Sequence, residues 1–204
     1  MCAGRIVLLI VLALAGCATA RDEEAQAGDL TPVIASSFRA RGQAGLDRLK
    51  QTEMQRLCSS AQAHALPADQ KQQLQRQALE GVRYPDDERW LGDWKRGEQI
   101  AQSGAGMQYS DKPEAPRGGN CYACHQLSAA EIAFGTIGPS LYRYLERNDR
   151  GVESMRRTWT QIWNSHAFNA CSLMPRFGDA GILTPDQIRD LMALLFDPAS
   201  PVNR

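Results

Sequence analysis

Apolar side chains recur along this chain at helical spacing, in stretches separated by glycine- and proline-rich breaks. From Ser36 to His64, the residues Leu46, Leu49, Met54 and Leu57 fall near a period of roughly 3.6 among Arg, Gln, Lys and Glu, which predicts helix. Pro67 suits a helix start, and "ADQKQQLQRQALE" runs on to Gly81, a stop signal. Leu74, Ala78 and Leu79 give that second helix a thin apolar face, too sparse for a core of its own. The extension is therefore expected to lie against something else.

The pattern changes near Trp90. "WLGDWKRGEQIAQSG" reads as a helix offering Trp90, Leu91, Trp94 and Ile100 for burial, with Gly104 and Gly106 ending it, and "MQYSDKPEAPRGGN" reads as loop. After a turn-like "GTIGPSL", a helix is expected from Leu141 to Arg147 and another from Ser154 to Asn164, with Met155, Trp159, Ile162 and Trp163 inward. "NACSLMPRFGDAG" is loop. The chain closes with "LTPDQIRDLMALLF", where Thr184 is placed as N-cap and Pro185 as the first helical residue. No alternating apolar run argues for a strand and no internal repeat is visible, so the class is all-α.

At 204 residues the chain has room for one domain plus an extension. Lys and Arg balance Asp and Glu at 23 each, and no basic block stands out, which leaves nucleic acid a poor partner. Arg143, Arg147, Arg150, Arg156 and Arg157 make a locally basic stretch that could help docking, but Glu146, Asp149 and Glu153 are interleaved, the pattern of a solvated face. The N-terminus does change the picture. Arg5, then the short apolar run Ile6 to Gly16, then "CATA" read as a secretory signal, and the run is too short to span a bilayer. Within it "LAGC", Leu14 to Cys17, resembles the bacterial lipoprotein box, whose cysteine is diacylated and becomes a membrane anchor. The competing reading is cleavage after Ala18-Thr19-Ala20, with Cys17 discarded. The expected organisation is a signal over 1–17, a tether over 18–35, a helical extension over 36–89 and a main domain over 90–204, in a protein exported to the periplasm.

Six cysteines now become informative. Cys2 and Cys17 fall in or beside the signal, Cys121 and Cys124 form "CYACH" with His125, and Cys58 and Cys171 remain, which in an oxidising compartment suggests one disulfide. A closed loop of roughly 100 residues would contribute up to about 4–5 kcal/mol on the chain-entropy model. The alternatives are two separate buried thiols, or Cys171 as an iron ligand. For the motif itself, two thiols separated by two residues suit the two vinyl groups on one edge of a porphyrin, and a histidine next to the second can ligate the iron. A structural zinc site needs a second ligand pair, and a thioredoxin-like couple needs a strand–helix setting. Neither is evident here, so one covalently attached haem c is the expected cofactor, bound by Cys121 and Cys124 with His125 on the iron.

For the other axial position, class I c-type cytochromes place a methionine some tens of residues later, commonly before proline, and Met174-Pro175 in "SLMPRFG" resembles that arrangement. His166 and His64 are the rivals. Met54, Met155 and Met192 sit at apolar helical positions and read as core, while Met107 precedes the motif. A thioether ligand favours ferrous iron and a comparatively high potential.

Taken together, "LGDWKRGEQIAQSG", "GGNCYACHQLS", "GTIGPSL", "AFNACSLMPRFG" and "FDPASPVN" resemble the SoxX subunit of the SoxAX cytochrome complex of bacterial thiosulfate oxidation, over most of residues 90–203. The resemblance implies a class I cytochrome c-like haem domain with Met174 as distal ligand and the Pro139 carbonyl accepting a hydrogen bond from the His125 imidazole. It also implies a role as the electron-accepting subunit of an S-thiosulfotransferase that joins thiosulfate to a cysteine of the SoxYZ carrier and releases two electrons. The bond-forming site would belong to the partner SoxA, and electrons would pass to an acceptor such as a small cytochrome c. The extension before residue 90 resembles only the longer members, and the lipoprotein box is not general among them. Two other functions compete: a freely diffusing electron carrier, and a haem enzyme or gas sensor with an open iron position.

Overall fold

The computed structural model describes residues 30–60 and 66–204. Residues 30–38 belong to one unit and residues 39–204 form the other. In the first, α1 (Thr31–Ser37) has Pro32 in its first turn, so helix begins inside the stretch expected as tether. The described residues are helical and carry no strand, which makes the all-α class a finding; Arg41 and Ala44 form one isolated bridge.

The helix expected over 36–64 is broken. Residues Leu46–Leu49 form a single 3-10 turn, and α2 (Glu53–Ser59) starts afresh at Thr52, whose hydroxyl and Gln55 make a reciprocal capping box. Polar side chains at and before the leucines explain the break, because they staple this segment to the loop at 106–111. The Gln43 amide nitrogen lies 3.2, 3.0 and 3.1 Å from the carbonyl oxygens of Gly106, Gln108 and Asp111. Arg48 donates to the Met107 carbonyl, and the Arg41 guanidinium lies over the Tyr109 ring. Leu46 and Leu49 remain exposed, so their spacing marks no buried face.

α3 (Ala68–Glu80) behaves as the thin apolar face requires: Leu74 and Ala78 are buried, while Leu79 is exposed. It lies against the 3-10 turn Ser165–Ala167, where Gln75 donates to the Phe168 carbonyl. Tyr84, Trp90, Trp159 and Trp163 then form a chain of ring contacts, with centroids 5.9–6.1 Å apart, that carries the core from the 81–90 segment into α6 (Val152–Trp163). The Trp159 indole N–H donates to the Arg83 carbonyl.

The centre of the domain is the crossing of α4 (Trp94–Gln102) and α7 (Pro185–Phe196). Gly97 sits at the contact, where an added Cβ would come 2.1 Å from the Asp190 carbonyl oxygen. Only a bare backbone allows that approach. Asp190, nearly buried, takes two hydrogen bonds from Arg96 and one from the Asp93 amide, fixing the rotation of the two helices. α7 starts at Thr184 and Pro185 as its capping signals require, and buries Ile188, Met192, Leu194 and Phe196 almost completely. Each such side chain contributes about 1.5–3 kcal/mol.

The last residues shape the fold more than their pattern suggests. Ser200 Oγ donates to the Leu194 carbonyl, and Asn203 Nδ2 donates to the carbonyls of Leu195 and Asp197, closing the end of α7. The same tail binds Arg143 N through the Val202 carbonyl and Leu145 N through Asn203 Oδ1. Arg143 is thereby held at φ 54°, outside right-handed helix. The helix expected from Leu141 is reduced to α5 (Tyr144–Arg147).

Candidate functional site

The motif occupies one tight turn. Asn120 enters it at φ 47°, Cys121–Ala123 form a 3-10 turn, and the amides of Cys124 and His125 both donate to the Cys121 carbonyl. Upstream, Gly119 N and Asn120 N donate to the carbonyls of Ile100 and Ser103, which hangs the turn from the C-terminal end of α4. Downstream, Glu131 Oε1 accepts from the amides of Leu127 and Ser128. Cys121 and Cys124 carry free thiols. Burial pushes the Cys121 thiol up to about 12, so at neutral pH it is an un-ionised S–H.

A second segment runs alongside the motif, joined to it by Gly135 N to Tyr122 O, Gly138 N to Cys124 O and Leu141 N to Gln126 O. It brings the Pro139 carbonyl 2.7 Å from His125 Nδ1. A carbonyl can only accept, so Nδ1 carries the proton and Nε2 keeps its lone pair. Gly138 faces the ring: a Cβ there would sit 2.1 Å from Cε1 and 2.4 Å from Nδ1. The segment thus fixes the imidazole both by hydrogen bond and by shape.

The third wall is the loop at 169–177. Cys171 is bridged to Cys58 across a separation of 113 residues, with Cα atoms 5.5 Å apart, so the disulfide is present and Cys171 has no thiolate to offer a metal. Met174 is held at three points. Ser165 Oγ donates to its carbonyl at 2.8 Å, its amide donates to Ser172 Oγ, and Gln161 Nε2 donates to its sulfur at 3.4 Å. His166 is turned elsewhere. Its Nε2 lies 3.0 Å from the Ser172 carbonyl, Nδ1 is buried without a partner, and burial lowers its pKa, so the ring is neutral.

These three walls and α7 enclose a cavity of about 670 Å³. Cys121, Cys124, His125, Pro139 and Met174 line it together with Leu127, Ile162, Phe177, Leu191, Leu194 and Leu195. Two thiols, an imidazole with a free Nε2 and a thioether on one apolar chamber are the donor set that a c-type haem takes, and the volume lies within the range of ligand chambers. Among the described residues, no three or more His, Cys, Asp or Glu side chains converge as a four-ligand zinc site requires.

Each expected site residue is therefore located, with two exceptions: Cys17 and His64 lie outside the described residues. His166 is not brought to the cavity, whereas Met174 is. Gln161 and Ser165 were missed by sequence reasoning. Their four-residue spacing along and just past α6 puts both toward the 169–177 loop, but nothing local distinguishes them from other polar helix residues.

No protein-family model matches the chain. Among curated proteins, an uncharacterized lipoprotein of Aquifex aeolicus (strain VF5) is 36% identical over 156 residues, covering 76% of this chain and 73% of the relative. Among the described residues no helix is long and apolar enough to cross a membrane.

Proposed function

This chain belongs to the family of the Aquifex aeolicus lipoprotein, and we propose on that premise that it is an exported, lipid-anchored monohaem c-type cytochrome of class I character that accepts electrons for a partner enzyme. The observation that carries this reading is the convergence of Cys121, Cys124, His125 and Met174 on one apolar cavity. A haem attached there would supply a one-electron ferric/ferrous couple. The chain's own residues do the rest. Cys121 and Cys124 provide the thioether sulfurs. His125 presents Nε2 while Pro139 holds the proton at Nδ1, which orients the ring and raises its basicity. Met174 presents a soft sulfur, and the apolar lining excludes water; both favour the less charged ferrous state. Cys17 is the acyl attachment site in this reading, which the name of the Aquifex relative supports.

The resemblance of residues 90–203 to SoxX supplies the partner. In that role the chain pairs with SoxA and removes the two electrons released when thiosulfate is joined to a SoxYZ cysteine. With the thiols of Cys121 and Cys124 committed to haem and Cys58 and Cys171 bridged, the described residues hold no nucleophilic thiol of their own. An anchored protein also fits a fixed complex better than a freely diffusing carrier.

Two measurements test the reading. The ferric protein should show the weak long-wavelength sulfur-to-iron band, which Met174→Ala abolishes while lowering the potential; a band-free parent that binds carbon monoxide readily when reduced would overturn the Met174 assignment. Purified from its native host, the protein should co-elute with a second haem protein and support thiosulfate-dependent electron release. A lone monomer inactive with added SoxYZ and SoxA would overturn the partner assignment and leave an electron carrier.

A further inference from the structure

α1 buries none of its residues. Leu30 at its N-cap is 60% exposed, and Val33 and Ile34 in its first turns are 58% and 40% exposed. At 3.6 residues per turn these three fall within one arc of about 100°, which Ser37 alone interrupts. Single exposed apolar side chains are ordinary, but three in register on one short helix make a face. Residues 30–38, "LTPVIASSF", carry no charged side chain. A seven-residue helix is also marginal in water by itself, so its helicity needs a surface to pack on.

The nearest such surface along the chain is the one that would hold Cys17. Only residues 18–29 separate Cys17 from Leu30, so even a fully extended chain keeps α1 within roughly 45 Å of the acylated residue. We propose that α1 is a membrane-seating helix, with the face of Leu30, Val33 and Ile34 set into the interface of the leaflet that holds the Cys17 acyl chains. The inference rests on the reading of Cys17 as the acyl attachment site and adds to it. Three side chains alone would bind lipid weakly, but attachment at Cys17 makes the seating an intramolecular step at high effective concentration. The charge pattern selects the lipid. Residues 18–29 set Asp22, Glu23, Glu24 and Asp29 against Arg21, and α1 adds nothing positive, so attraction to anionic headgroups has no part and a zwitterionic leaflet is the fitting surface. The consequence is a shorter tether. The chain leaves the lipid at the end of α1 and enters the 39–204 unit at once, so that unit is carried close to the leaflet and meets its redox partner there.

The test uses the full-length acylated protein in vesicles of phosphatidylethanolamine and phosphatidylcholine, with amide hydrogen exchange of α1 as the readout. The Ile34 and Phe38 amides, bonded to the carbonyls of Leu30 and Ile34, should exchange at least about tenfold more slowly on vesicles than in an unacylated protein exported by a non-lipoprotein signal. That is the factor supplied by burying one such side chain. Val33→Gln with Ile34→Gln removes the face while installing a better helix former. This variant should stay acylated and vesicle-bound, yet exchange at the rate of the unacylated protein. Adding anionic phosphatidylglycerol to the vesicles should not increase the protection. If the parent shows no protection on vesicles, or if protection survives the double substitution, the inference is overturned. Protection that rises with the density of protein on the vesicle assigns the face to a second copy and overturns it as well. The mass of the N-terminal peptide separates the two readings: without an acyl adduct on Cys17 the anchor falls and this inference with it, whereas an adduct without protection of α1 sinks this inference alone.

Discussion

Replacing Gly138 by alanine adds one methyl group at the tightest point of the site. The new Cβ would stand 2.1 Å from His125 Cε1, 2.4 Å from Nδ1 and 2.6 Å from Nε2, so the ring faces it broadside. To reach contact distance the imidazole must retreat by roughly 1 Å or more. It cannot do so and keep its 2.7 Å bond to the neighbouring Pro139 carbonyl, because Gly138 is itself fixed to the Cys124 carbonyl. Overpacking of this kind costs about 1–3 kcal/mol, and the lost hydrogen bond adds about 0.5–1.5 kcal/mol. The sum is about 1.5–4.5 kcal/mol, or a fall in Tm of roughly 3–18 °C for a domain of this size. Urea unfolding followed by far-ultraviolet circular dichroism measures it, with Ser140→Ala in the same segment as the control. The His125 ring resonances should move and, on the proposed haem reading, the sulfur-to-iron band should persist. A Gly138→Ala protein within about 0.5 kcal/mol of wild type, with an unmoved His125 ring, refutes the claim that Gly138 shapes the imidazole seat.

Three further outcomes are expected. Changing Cys58 and Cys171 together to serine opens a loop of 113 residues and should cost up to roughly 5 kcal/mol on the chain-entropy model, read by urea unfolding; on the proposed haem reading it should also speed displacement of Met174 by imidazole, because the 169–177 loop loses its tie to α2. Gly97→Ala forces a methyl group against the Asp190 carbonyl at the α4–α7 crossing and should cost about 1–3 kcal/mol, seen as a lowered Tm with an unchanged potential. His166 supplies a pH dependence. Burial holds its folded pKa below the ordinary 6.5, so the unfolded chain takes up the proton first; stability is fully present above pH 6.5 and is lost as pH falls toward the folded pKa. His166→Gln, which keeps a donor for the Ser172 carbonyl, should therefore lose less stability than wild type between pH 8 and pH 5, measured by urea unfolding at both.

How much of this was legible in the chain depends on whether the determining interaction is local. α7 could be read because its stop, start and buried face all lie within one stretch: Thr184 and Gln187 cap each other, and Ile188, Met192 and Leu195 repeat at helical spacing. α6 and α3 were readable for the same reason. The segment 39–59 was misread as continuous helix because its leucines mimic a helical period, while the groups that organise it, Gln43, Arg41 and Arg48, act on carbonyls and a ring some sixty residues away. Likewise the helix expected from Leu141 is cut short by the tail at Val202 and Asn203, a contact no local window contains.

The site divides along the same line. The chemistry on offer is legible along the chain: two thiols and an imidazole at fixed spacing in "CYACH", a methionine before proline, and two leftover cysteines. Spacing along a chain constrains atoms that share one turn, so Cys121, Cys124 and His125 could be grouped from it. Which distant groups join them was set by the folded packing. It brought Met174 to the cavity and turned His166 onto Ser172, bridged Cys58 to Cys171, and set Gly138, Pro139 and Gln161 around the His125 and Met174 side chains. Those choices rest on packing of α6, α7 and three loops against one another, and packing depends on every residue of the core at once.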